Sequence, residues 1–181
     1  MNIFKIPTPM KRRVFLRHAA VLAGAGALTA WQANAQLANA LGAVPDPLFT
    51  KSFPDVDGRQ LALKQWLGKP VVANFWATWC PPCVKEMPDL EALHKKYDAV
   101  SFLGLGIDTA SNVQAFTEKV KVSYPLLLLG HGGISLMRDL GNKAGGLPFT
   151  VVFDARGRLH SKILGQIKPH ELEQTIRSLL A

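Results

Sequence analysis

The chain has 181 residues, 48% hydrophobic and 19% charged, the size and balance of one globular domain and not of a disordered, collagen-like or coiled-coil chain. Its formal net charge is +8, but five of the 21 Lys and Arg residues precede the first acid, Asp46, leaving 16 against 13 acids in the remainder. The excess is local, so composition gives no reason to expect a nucleic-acid partner.

Residues 1–35 read as an export signal. Lys11-Arg12-Arg13 forms a basic region, residues 19–30 an apolar stretch, and Ala33-Asn34-Ala35 a small-residue cleavage site. The apolar stretch falls short of the roughly 20 residues of a spanning helix. Arg12-Arg13-Val14-Phe15-Leu16 resembles a twin-arginine signal, although a general secretory signal also opens on basic residues. Ala38-Asn39-Ala40 is a second candidate cleavage site, and retention of the segment would leave a membrane anchor. No cysteine lies near either site, so lipid anchoring is not expected. The organisation read from the sequence is a signal peptide over 1–35, a linker over 36–44 and one domain over 45–181, located in a periplasm.

Residues 48–68 break short apolar runs with Pro54, Asp57-Gly58 and Gly68, predicting a strand or hairpin and then a short helical turn. Residues 71–76 are apolar except for Asn74, the pattern of a strand buried on both faces. A helix follows. Pro81 and Pro82 suit its first turn, and Val84, Met87, Leu90, Leu93 and Tyr97 recur at three- and four-residue spacing. Pro88 within that pattern predicts a kink. Further strands are expected over 101–107, 125–129, 150–153 and 159–164, with helices over 111–120 and 134–140. A last amphipathic helix over 171–180 would bury Leu172, Ile176, Leu179 and Leu180. Alternating elements with a terminal hairpin predict an α/β domain, a mixed sheet with helices on both faces.

The chemistry centres on Trp79-Cys80-Pro81-Pro82-Cys83. A C-x-x-C that ends a buried strand and opens a helix is the setting of a redox pair. Amide groups and the dipole at a helix start favour a thiolate, and can bring a cysteine from about 8.5 to roughly 3.5–7.5. Cys80 is therefore expected to be the exposed nucleophile and Cys83 the shielded, resolving thiol. A purely structural disulfide would close too short a loop to gain much chain entropy. A zinc site would need two more ligands, and the chain has no other cysteine; His94 reads as a surface residue of the helix. Soft thiolates also suit copper, so a copper-handling or peptide-binding module is a third reading, weakened by the lack of a methionine cluster. Neither a cofactor nor a metal is expected.

Residues 74–88, Asn74-Phe75-Trp76-Ala77-Thr78-Trp79-Cys80-Pro81-Pro82-Cys83-Val84-Lys85-Glu86-Met87-Pro88, resemble the TlpA/ResA/CcmG branch of the thioredoxin superfamily. Residues 53–58 and 67–70 resemble the N-terminal extension of that branch, residues 146–154 its cis-proline segment, and Gly165 the glycine before its last helix. The resemblance implies a thioredoxin-like fold, a central mixed β-sheet flanked by helices, with an N-terminal β extension. It implies an exported thiol–disulfide oxidoreductase. Many members of the branch are reductases that serve apocytochrome c or copper-site assembly factors and are recharged by a membrane thiol electron donor; a thiol oxidase or disulfide interchange protein is the alternative. The partners implied are a protein disulfide substrate and that membrane donor, and the chain is expected to be a monomer.

The same resemblance gives single residues roles. Pro148, which alone would read as a strand-edge proline, aligns with the cis-proline that lies against the disulfide and presents backbone to a bound peptide. Trp79 beside the thiol and Leu147 before the proline join it as substrate-binding residues. Glu86 aligns with a glutamate near the thiols, where a carboxylate can shuttle a proton or raise a thiol pKa by like-charge repulsion; otherwise it is a solvated helix residue. Asn74 occupies the position of the buried aspartate of ordinary thioredoxins, and an amide cannot serve as that general base. Trp76 is assigned to packing.

Overall fold

The computed structural model describes residues 44–181; the expected signal peptide and most of the expected linker lie outside them. A five-stranded sheet runs in the order β5-β4-β3-β6-β7, with β3 Val71–Trp76, β4 Ser101–Gly106, β5 Leu126–Leu128, β6 Phe149–Phe153 and β7 Leu159–Leu164. β3 pairs parallel with β4 and antiparallel with β6, β4 parallel with β5, and β6 antiparallel with β7. The thioredoxin-like mixed sheet is thus present.

Before it lies the N-terminal extension, a separate antiparallel pair of β1 Ser52–Pro54 and β2 Gln60–Ala62, flanked by 3-10 turns Pro47–Thr50 and Leu63–Trp66. Asp55, just after β1, bridges to Leu127 of β5. Four helices complete the domain: α1 Pro81–Lys96, α2 Ala110–Lys119, α3 Gly133–Asp139 and α4 Pro169–Leu180. None of the described helices is long and apolar enough to cross a membrane.

The two faces of β3 bury different sets, as period-two alternation requires. Val72 and Trp76 join a core cluster with Met87, Leu90, Leu93, Leu172 and Ile176, under α1 and α4. Val71, Ala73 and Phe75 join the opposite cluster with Leu48, Phe49, Leu63 and Met137. Asn74 points to the first face, where its side chain meets Glu86 of α1. Trp76 packs there, its ring 5.2 Å from that of Phe116. Gly104 permits that packing: a Cβ on it would collide with Leu126 Cδ2 and stand 3.1 Å from the Trp76 indole nitrogen.

Several expectations shift by a residue or two for local reasons. α2 starts at Ala110 because Thr109 caps it, its hydroxyl accepting from the Asn112 amide. α4 starts at Pro169, whose fixed φ suits the first helical position. Its face buries Leu172 and Ile176, but Leu180 is 42% exposed at the chain end. α1 continues through Pro88, which lies on its exposed side. His94 is half-buried, with its ring against Phe102 and Tyr124. The surface position expected of it is wrong because the helix turns that side toward β4.

Candidate active site

β3 ends at Trp76, and a short loop later Cys80 caps α1, its amide donating to the Ala77 carbonyl at 3.2 Å. Cys80 and Cys83 are joined as a disulfide. Cys83 is fully buried, and Cys80 is only 5% exposed. The order of accessibility is the expected one, but Cys80 is far less open than a nucleophile at a helix start suggests. Bonded to Cys83, it packs into the core cluster with Ala77. Trp79, by contrast, is 65% exposed beside it.

The helix start differs chemically from the generic one. Pro81 and Pro82 fill the first two helical positions, and proline has no amide hydrogen. Of the first three residues of α1, only Cys83 can donate a backbone hydrogen bond toward a thiolate. The dipole remains, but the amide cradle that usually accompanies it is reduced.

Asp108, which sequence reasoning missed, holds the loop ahead of Cys80. This buried carboxylate accepts from the Thr78 amide at 3.1 Å, the Thr78 hydroxyl, the Thr109 amide at 2.7 Å and the Asn112 side chain at 2.7 Å. Burial pushes its carboxyl up, and those four hydrogen bonds outweigh burial to hold it below the ordinary range. An aspartate between a strand and a helix reads as local capping; nothing in sequence shows the reach back to Thr78, 30 positions earlier. Asp108→Ala is expected to destabilise the fold by about 1–3 kcal/mol, because it removes four hydrogen bonds to a buried carboxylate at once, although their donors on Thr78, Thr109 and Asn112 keep some access to water. Urea unfolding checks this, and a loss under about 0.5 kcal/mol would show that the Thr78 loop does not depend on Asp108.

Glu86 lies one helical turn beyond Cys83 and on the same side of α1. It is fully buried, so the solvated reading is excluded. Its Oε1 accepts from Asn74 Nδ2 at 2.7 Å and its Oε2 from the Ile167 amide at 2.8 Å. Burial raises its carboxyl above the ordinary value; the bonds from Ile167 and Asn74 oppose the rise, and the charge of Asp89 adds to it. Asn74 Nδ2 donates a second bond, 3.0 Å long, to Thr150 Oγ1 of β6, its registered neighbour. Thr150 and Ile167 carry no sequence signal, since their partners lie 76 and 81 positions away.

The Leu147–Pro148 peptide is cis. Pro148 is buried at the head of β6, whose register sets Phe149 opposite Phe75; Pro148 therefore sits by the end of β3 from which Cys80 emerges. Its carbonyl accepts from the Gly165 amide at 2.9 Å, a tie made where Gly165 has φ +89, a conformation that favours glycine. Leu147 is half-buried against both core clusters. Asn142, another residue without a sequence signal, shapes the approach, donating to the Gly146 carbonyl at 2.8 Å and accepting from the Gly145 amide at 3.0 Å. Among the described residues no three His, Cys, Asp or Glu side chains converge on a metal position.

Two cysteines that open and close one bond at the start of a helix exchange electrons with other thiols and disulfides, and the protein is a thiol–disulfide oxidoreductase of thioredoxin-like fold. The Redoxin family profile matches residues 39–179. The chain belongs to that family, in its ResA-like thioredoxin branch. It is 31% identical over 134 residues to the thiol-disulfide oxidoreductase ResA of a Bacillus cereus strain, covering 69% of this chain and 72% of that one. It is 30% identical over 130 residues to the thioredoxin-like protein YneN of Bacillus subtilis, covering 69% and 74%. Among solved structures it is similar to a thiol:disulfide interchange protein of Chlorobium tepidum TLS, with TM-score 0.64 and 27% identity over 77% of this chain and 99% of the other.

Proposed function

We propose that the enzyme works as an exported reductase of partner-protein disulfides. The observation that carries this reading is the paired prolines at the start of α1. A strong oxidant stabilises its reduced, thiolate form; with two amide donors missing, that stabilisation is weakened here. The buried carboxyl of Glu86 acts in the same sense when ionised, since negative charge disfavours a nearby thiolate.

In the reaction, Cys80 thiolate attacks one sulfur of a partner disulfide, forming a Cys80–partner bond and expelling the other partner sulfur as a thiolate that takes up a proton. Cys83 gives its proton to Glu86 and attacks Cys80 Sγ. The Cys80–Cys83 bond forms, the Cys80–partner bond breaks, and the second partner sulfur leaves as a thiolate. Two electrons pass from the enzyme dithiol to the partner. A membrane thiol electron donor returns them by the reverse exchange. Exposed Trp79, Leu147 and the backbone around Pro148 take the partner's chain, and proteins of apocytochrome c or copper-site assembly are the substrate class. A thiol oxidase or interchange protein is the alternative, separated by potential, since 30 mV is about 1.4 kcal/mol for this couple. A potential well below the roughly −120 mV of the oxidant DsbA is expected from glutathione equilibration; a value at that end would make the oxidase reading the better one.

Export rests on residues 1–35, with a twin-arginine signal leading into a periplasm. Replacing Arg12 and Arg13 by Lys is expected to hold the protein in the cytoplasm, as fractionation and immunoblotting would show. Undiminished export of that variant would assign the general secretory route instead.

A further inference from the structure

Asn74 is 2% exposed on β3, and its two terminal atoms are treated unequally. Nδ2 donates both its hydrogens, to Glu86 Oε1 and Thr150 Oγ1. Oδ1 is buried and accepts from nothing. Buried polar atoms are seldom left so, and an orphan in a native core calls for a reason.

The reason lies in what Glu86 would need from its neighbours in each protonation state. As drawn, both carboxyl oxygens accept, which suits the ionised group. A protonated Glu86 carries a hydrogen that must be accepted. Oε2 stays with the Ile167 amide, a backbone donor in either state, so the proton belongs on Oε1. There it would meet Asn74 Nδ2 donor to donor. A half-turn about the last side-chain torsion exchanges the amide's oxygen and nitrogen, which are nearly the same size. Oδ1 would then accept from Glu86 Oε1–H and from the Thr150 hydroxyl, while Nδ2 takes the partnerless position that Oδ1 holds in the ionised state.

We propose that Asn74 is a positioning residue that reverses its amide when Glu86 gains a proton, so that the buried carboxyl can hold or release that proton with its Asn74 bond intact. The inference rests on the reading above that Glu86 takes the Cys83 proton: Cys83 Sγ–H and the carboxylate become thiolate and carboxylic acid. Asparagine fits where aspartate and leucine do not, because only the amide offers a donor to one state and an acceptor to the other. The other groups around Glu86 leave the task to Asn74. Asp89 on α1 is a like charge, the Tyr124 phenol is itself pushed up by burial with the charges of Glu91 and Glu86 added, and the Lys168 ammonium next to Ile167 is exposed and bound to Glu171. None of the ion pairs among the described residues includes Glu86.

NMR on the full-chain protein tests this directly. The carboxyl carbon of Glu86 and the side-chain amide of Asn74 would be followed over pH in both the disulfide and dithiol forms. The Asn74 amide signals are expected to change with the same midpoint as the Glu86 carbon, losing their close contact to the Thr150 side chain on the acid side. Amide signals that keep that contact through the Glu86 transition would overturn the proposal. In Asn74→Leu both protonation states lose their Asn74 bond, so the Glu86 midpoint is expected to move little; a large rise, the mark of a donor that serves only the ionised carboxyl, would also overturn it. The proton-acceptor reading of Glu86 fails by a different result, an unimpaired Glu86→Gln enzyme, so the two failures are distinguishable.

Discussion

Cys80→Ser is expected to bring disulfide exchange below detection, whereas Cys83→Ser should still attack a partner but fail to release it. The asymmetry follows from position. Cys80 sits at the cap of α1 with its residual exposure, and Cys83 is fully buried one turn in. Only the first can meet an incoming disulfide, and only the second is close enough to displace the partner from it. With Cys83→Ala, mixed disulfides should accumulate on Cys80, and mass spectrometry of the trapped species would identify the partners. Alkylation of the reduced enzyme gives an independent check. Cys80 should be modified first; faster labelling of Cys83 would reverse the two roles.

Glu86→Gln is the second large effect. On the proton transfer proposed above, the variant would have no base for the Cys83 proton, and loss of a positioned base of this kind slows the step it serves by about 100-fold or more. The Cys80 thiol should also titrate at lower pH, since a buried negative charge has gone. Partner reduction by the wild type should rise with pH as Glu86 ionises, and that limb should vanish in the variant. Stability should move in the opposite direction. Burial raises the Glu86 carboxyl in the folded protein, so its favourable contribution is complete below the unfolded value of about 4.3. That contribution is lost as pH rises through the folded value. Urea midpoints of the wild type should therefore fall relative to Glu86→Gln over that range. A thiol pKa and a reduction rate that the substitution leaves alone would remove Glu86 from the chemistry.

Much of this architecture was legible in the sequence because it is encoded locally. The apolar run of β3 and the spacing along α1 fix a buried strand and a packed helix, and Cys80 and Cys83 fall where one meets the other. The resemblance at residues 146–154 carried the cis-proline segment, which periodicity alone would have assigned to a strand edge. What was not legible is what depends on distant partners. Asn74 looked like a lost general base, yet it links Glu86 to Thr150, 76 positions away. Glu86 looked equally suited to solvent, because helical spacing gives a direction and not what lies in it; the Ile167 amide, 81 positions on, meets it there. The prolines show the opposite case. Their missing amides were visible in the sequence, but their bearing on the thiolate became plain only once they stood at the first two positions of α1.

The bridge from Asp55 to Leu127 has a consequence for how other chains can approach. A sheet ending on an open strand invites a foreign strand to add to it. Here β5 is three residues long and its outer side is met by the N-terminal hairpin, while the opposite border, β7, carries Lys162 and a register irregularity against β6, both of which discourage such growth. A polypeptide cannot lengthen this sheet at β5 without displacing the hairpin. Recognition by strand addition is blocked at that border, and copies of the protein have no long, flat ribbon there on which to stack.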